Sequence, residues 1–96
     1  MTASTAESGV SAQSVEQALR THGGPPAPTT AQCHASSAAE RAAAPFGHTS
    51  LPLFTCELTV HGNAGRYAVQ VLQNGCFVAE RLGGGQSVQG CGVKRS

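Results

Sequence analysis

The chain contains no tryptophan, no isoleucine and no aspartate, and only one tyrosine and one lysine. Without the first two residue types, and with valine, leucine and phenylalanine at about 18 per cent of 96 residues, the core must be thin. That content lies at the edge where a chain stops folding unaided. The missing aspartate leaves no side chain of that type to orient a histidine in a Ser-His-Asp or Cys-His arrangement, so the chain reads as non-enzymatic. Charge is sparse, with 11% charged residues and a formal net charge of +1. No lysine and arginine stripe is present, which argues against a nucleic-acid partner. No apolar run approaches the ~20 residues of a membrane span, so the chain itself does not insert. The N-terminus also lacks the basic and then apolar profile of a signal peptide. Either a targeting segment or anchor precedes Met1 in the natural protein, or the protein stays in the cytoplasm.

What is present is one stretch with an unmistakable pattern, Leu53 to Leu82. Phe54, Cys56, Leu58 and Val60 alternate with Thr55, Glu57, Thr59 and His61, the period of a strand buried on one face. Gly62-Asn63-Ala64-Gly65 supplies a turn, after which Tyr67, Val69 and Val71 face inward. Asn74-Gly75 signals a tight two-residue hairpin that would pair Leu72 with Phe77 and Val71 with Val78. The stretch therefore predicts a β-meander with one apolar face. In this register Glu80 sits on the apolar face beside Val69, calling for a bulge or an edge position. The opposite face carries Gln70, Leu72, Phe77 and Arg81, a candidate contact surface for an unidentified protein or envelope ligand.

Taken in order, residues 1–10 are Ser, Thr, Ala and Gly with little to bury and read as a disordered leader. Ser14-Val15-Glu16-Gln17 has capping-box spacing, and Val15, Ala18, Leu19 and His22 share one helical face that can cover the meander. Gly23 and Gly24 end the helix, and Pro25, Pro26 and Pro28 keep it ended. Thr29 to Ala35 is a candidate edge strand. Ser37-Ala38-Ala39-Glu40 opens a short Ala-rich helix that Pro45 must stop. Beyond Leu82 the glycine-rich tail allows regular structure only over Ser87 to Gln89. The organisation expected is a single α+β domain over 11–92, with an N-terminal helix packed on a three- to four-stranded antiparallel β-meander, and a disordered tail over 93–96.

Four cysteines, Cys33, Cys56, Cys76 and Cys91, carry the most informative chemistry. An even number in a short chain with a thin core favours a disulfide framework. Three connectivities are possible. Cys33 with Cys56 and Cys76 with Cys91 is the pairing expected, each closing a loop worth about 3 kcal/mol in a chain-entropy treatment. The alternative is a cytoplasmic protein whose reduced cysteines sense redox state or bind metal. Eight potential zinc ligands exist, His22, His34, His48 and His61 among them, yet no CxxC or HxxxH pair occurs, so no metal or cofactor is expected. Gly84-Gly85-Gln86 resembles the GGQ loop of peptide-chain release factors but lacks the basic surroundings that such a loop needs to meet ribosomal RNA.

The order of helix (Val15 to His22), Cys33, Gly47, then LFTCELTV and RYAVQVL resembles small actinobacterial cell-envelope domains of unknown function, secreted or borne on a lipoprotein anchor. The likeness covers Val15 to Leu72. It implies an extracytoplasmic α+β domain with a helix on an antiparallel sheet and a disulfide matching Cys33 and Cys56. Two departures stand out: His34 occupies the place of a proline, and the extension bearing Cys76 and Cys91 is additional. The resemblance supplies no catalytic residues. The function expected is that of an extracytoplasmic binding module.

Overall fold

Ser11 caps the first helix. Its hydroxyl accepts a hydrogen bond from the Ser14 amide at 3.1 Å, and α1 runs Ala12–His22. This start lies ahead of the one that the Ser14 spacing predicts, because a serine three residues upstream serves the same orphan amide. The computed structural model describes residues 6–7, 9–24, 27–47 and 49–94. Upstream of α1, β1 (Ala6–Glu7) pairs with β2 (Val10–Ser11), and Val10 is fully buried. Order therefore reaches into the stretch that composition marks as leader; residues 1–5 lie outside the described residues.

The remaining strands are β3 (Thr30–Ala35), β4 (Leu53–Val60), β5 (Asn63–Val71), β6 (Phe77–Arg81) and β7 (Ser87–Gly90), with the short helix α2 (Ala38–Ala43) between β3 and β4. They form a five-stranded antiparallel sheet in the order β3-β4-β5-β6-β7. The fold is the α+β class expected, but with five strands rather than three or four. The additional pairing is β7, whose glycine-rich surroundings hide a period-2 signal: only Val88 is buried on it. Ala12, Val15, Ala18 and Leu19 of α1 are buried against the inner face of the sheet, while His22 at the last turn is exposed. Both edges are blocked. The Cys33 amide, turned away from β4, donates to Glu16 Oε2 of α1 at 2.7 Å, and the Gly24 amide donates to the Gln89 carbonyl at 3.1 Å.

Both turns of the meander differ from the sequence expectation, with unequal consequences. The first is a two-residue turn, His61-Gly62, closed by the pair Val60↔Asn63. Both residues have positive φ, 53° and 77°, the type I′ geometry that matches strand twist. Cys56 thus pairs with Tyr67, whereas a four-residue turn over Gly62-Asn63-Ala64-Gly65 would set it against Val71. A shift by an even number of residues leaves every side chain on its expected face. The second turn is a three-residue loop rather than a two-residue hairpin. Leu72 donates to the Cys76 carbonyl, Gly75 donates to Leu72, and Gly75 takes φ 85° at the bulge position. Val71 then pairs with Phe77, one residue off the expected register, and β6 turns over. Phe77 and Ala79 enter the core, and Glu80 moves to the polar face, so no bulge is needed there.

Both disulfides form in the expected pairing. Cys33–Cys56 joins directly paired residues inside the β3–β4 ladder, and Cys76–Cys91 lies just past the last β6–β7 pair, Phe77↔Gly90. Val93 is buried and donates to the Gly75 carbonyl, so the chain is held beyond residue 92; residues 95–96 lie outside the described residues. The register of β6 makes a clean prediction. Phe77→Ala should lower stability by about 3–5 kcal/mol, whereas Val78→Ala should cost under about 1 kcal/mol, measured by denaturant unfolding. Similar losses at the two sites would contradict the observed pairing.

Candidate interaction surface

The face turned away from α1 is the polar one. Register places Gln32, Glu57 and Arg66 in one row across β3, β4 and β5, and His34, Thr55, Ala68 and Glu80 in the next. A third row holds Leu53, Gln70 and Val78. This face is divided by what covers it.

One part is roofed by α2 and, among the described residues, by the segments 44–47 and 49–52. Leu53, Thr55 and Ala68 point outward yet are buried. None of α2's own residues is buried, so polar ties rather than apolar packing hold it. Ser37 and Glu40 form a reciprocal capping box, with the Ser37 amide donating to Glu40 Oε1 at 2.7 Å and the Glu40 amide to the Ser37 hydroxyl at 3.2 Å. His34 Nε2 meets Glu40 Oε2 at 3.0 Å, which fastens the helix to β3. Arg41 Nη2 donates to the Thr49 carbonyl at 2.9 Å and to that of Leu51 at 3.3 Å. A cleft of about 550 Å³ remains beneath, lined by Ala38, Arg41, Ala42, Gly47, Thr49 and Leu53.

The other part is open. Arg66 Nη2 donates to Glu57 Oε2 at 3.3 Å, and both side chains are more than half exposed. Beside them a shallow depression of about 470 Å³ is lined by Glu57, Ala64, Gly65, Arg66 and Leu82. An exposed pair of this kind contributes ~0–1 kcal/mol to stability. It offers a cation and an anion side by side with an apolar neighbour, an arrangement suited to recognising a partner with opposite charges of its own.

The four residues that the sequence groups into one contact surface are separated. Gln70 is on the polar face but half-buried, its amide donating to Thr49 Oγ1 at 3.1 Å under the roof. Leu72 is half-buried in the hairpin loop. Phe77 is 1% exposed and belongs to the core, a correction that follows directly from the one-residue register difference. Arg81 is exposed but pairs with Tyr67, on the face that α1 covers elsewhere. Glu57 and Arg66 were the readable alternative: a two-residue turn at His61-Gly62 puts them opposite one another. A histidine in the left-handed region is an uncommon turn residue, so the signal was faint.

All four cysteines are in bridges. Among the described residues no group of three or more His, Cys, Asp or Glu stands close enough to hold a metal ion. His48 lies outside the described residues. Among the described residues, too, no helix is long and apolar enough to cross a membrane. No protein-family model matches the chain, and no curated protein or solved structure matches it.

Glu40 ties the roof to the sheet, and its titration is readable. The Ser37 amide hydrogen bond and then the neighbouring His34 hold its carboxyl below the ordinary value of 4.5, against the opposing effect of partial burial. A depressed carboxylate stabilises the fold fully above its unfolded-state value and ceases to do so as pH falls through its folded-state value. Glu40→Ala should therefore cost ~0.5–1 kcal/mol at neutral pH, the scale of a lost cap. The difference from the parent protein should shrink as pH falls below 4.5, measured by denaturant unfolding across pH.

Proposed function

We propose that the chain is a non-enzymatic extracytoplasmic module that binds a protein or envelope ligand through the open part of its polar sheet face. The observation that carries the compartment is the closure of all four cysteines in two bridges. Such bridges form and persist in secreted, periplasmic and cell-surface proteins and are rare in a reducing cytosol. The likeness to small actinobacterial cell-envelope domains supports the same address. Support for the surface comes from the Glu57–Arg66 pair, the Leu82 beside it and the depression they share.

A thiol titration in denaturant tests the compartment. Protein taken from its source without reductant should show close to zero free thiols; four would favour a cytoplasmic protein with redox-sensing or metal-binding cysteines. The surface is tested by Arg66→Glu, which should leave the unfolding midpoint within about 0.5 kcal/mol of the parent. The same substitution should weaken retention on a cell-envelope preparation about tenfold, or about 1.4 kcal/mol. Unchanged retention would remove the Glu57–Arg66 region from the binding face.

A further inference from the structure

The two bridges differ in surroundings. Cys33 and Cys56 are paired inside a ladder that continues on both sides, from Thr30↔Thr59 to Ala35↔Phe54. Cys56 is fully buried, Cys33 is half-buried, and the Glu16 carboxylate clamps the Cys33 amide. Cys76 and Cys91 are the first residues beyond the last β6–β7 pair, so their bridge sits at the end of a ladder, where local opening costs least. Cys91 is exposed and Cys76 half-buried. Cys91 also stands between Gly90 and Gly92, so neither sequence neighbour carries a side chain that could shield its sulfur. A thiolate must reach a disulfide sulfur along its bond axis, and access governs how fast it does so.

We infer that Cys76–Cys91 is a thiol-exchange site that accepts a dithiol reductant at Cys91 Sγ, while Cys33–Cys56 remains closed in the folded protein. The reductant's thiolate attacks Cys91 Sγ, the bond to Cys76 Sγ breaks, and Cys76 leaves as a thiolate that takes up a proton. The reductant's second thiol then displaces Cys91 from the mixed disulfide. The protein gains two electrons and two protons, and the dithiol becomes a disulfide. The partner class is thus a dithiol oxidoreductase of the compartment in which the bridges form. Among the described residues, the segment released is held besides by the Val93 amide on the Gly75 carbonyl, by the buried Val93 side chain and by the Gly92 backbone lying next to the His22 ring. Reduction therefore loosens the C-terminal segment from the Asn74-Gly75 loop and from the end of α1, leaving the β3–β4 ladder in place. This inference goes beyond the binding reading and stands without it, since it requires the bridges and not a ligand.

The test uses the whole protein and dithiothreitol as the probe dithiol. Folded protein is exposed to rising dithiothreitol, quenched by alkylation, and the labelled cysteines are assigned by peptide mass, with hydrogen exchange followed in parallel. Cys76 and Cys91 should be labelled more than about tenfold faster than Cys33 and Cys56, as expected if the first pair opens locally and the second only with the sheet. Protection should fall at Val93 while β3 and β4 amides keep theirs. Labelling of all four cysteines together, or of Cys33 and Cys56 first, would overturn the assignment. Selective labelling with Val93 still protected would overturn the release of the tail.

Discussion

The fold depends on the Cys33–Cys56 bridge and on where it sits. β3 is an edge strand of Ala, Gln, Thr and His around Cys33, with almost nothing greasy to contribute, and Ala31 and Ala35 are its only buried residues. Side-chain burial on this scale does not hold an edge strand in place. The bridge fixes β3 to the central strand β4, and it stands directly beside the Glu16 carboxylate that occupies the open edge. α1 packs on β3 more than on any other strand. The same covalent tie therefore positions the helix that closes the core. The bridge separations are 23 and 15 residues, and loops of this size are worth about 3 kcal/mol each. Against a total of about 5–15 kcal/mol for a small domain, that is a large share.

The division of the sheet into two faces follows from the same economy. With so few large apolar residues, the inner face and the segments packed against it take most of them: Phe54, Leu58, Val60, Tyr67, Val69, Val71, Phe77 and Val88 of the sheet, with Val10, Val15, Leu19 and Val93 against them. Little remains for the other side. α2 consequently covers the outer face without burying any residue of its own, held by a capping box, a histidine–glutamate contact and two carbonyl bonds from Arg41. The rest of that face stays open and polar, and the exposed Glu57–Arg66 pair lies on it. A surface that contributes little to stability is free to be shaped by recognition.

Alternation in Phe54–Val60 and Tyr67–Val71 makes the inner face legible, and the helical spacing of Val15, Ala18 and Leu19 does the same for the α1 stripe, whereas the strand bearing Cys33 has little periodicity of its own. The capping box at Ser37 and Glu40 was legible for the same reason: each rests on a local pattern with one physical meaning. The turns were not. Asn74-Gly75 fits two hairpin types that differ by one loop residue, and period 2 converts that single residue into an exchange of faces. Phe77 thereby moves from an imagined contact patch into the core, and Glu80 moves the other way. The difference at His61-Gly62 is larger in residues and leaves the faces unchanged, because it is even. β7 was faint because Gly83-Gly84-Gly85 and Gly90 dilute the signal around Val88.

The mid-ladder bridge is the tie on which sheet, helix and core depend. The most direct test is the double substitution Cys33→Ala with Cys56→Ala, with Cys76–Cys91 left intact, compared with the parent by denaturant unfolding. The expected result is a loss of about 3 kcal/mol or more, with α1 and β3 amides losing exchange protection first. A variant as stable as the parent, with β3 still protected, would contradict it.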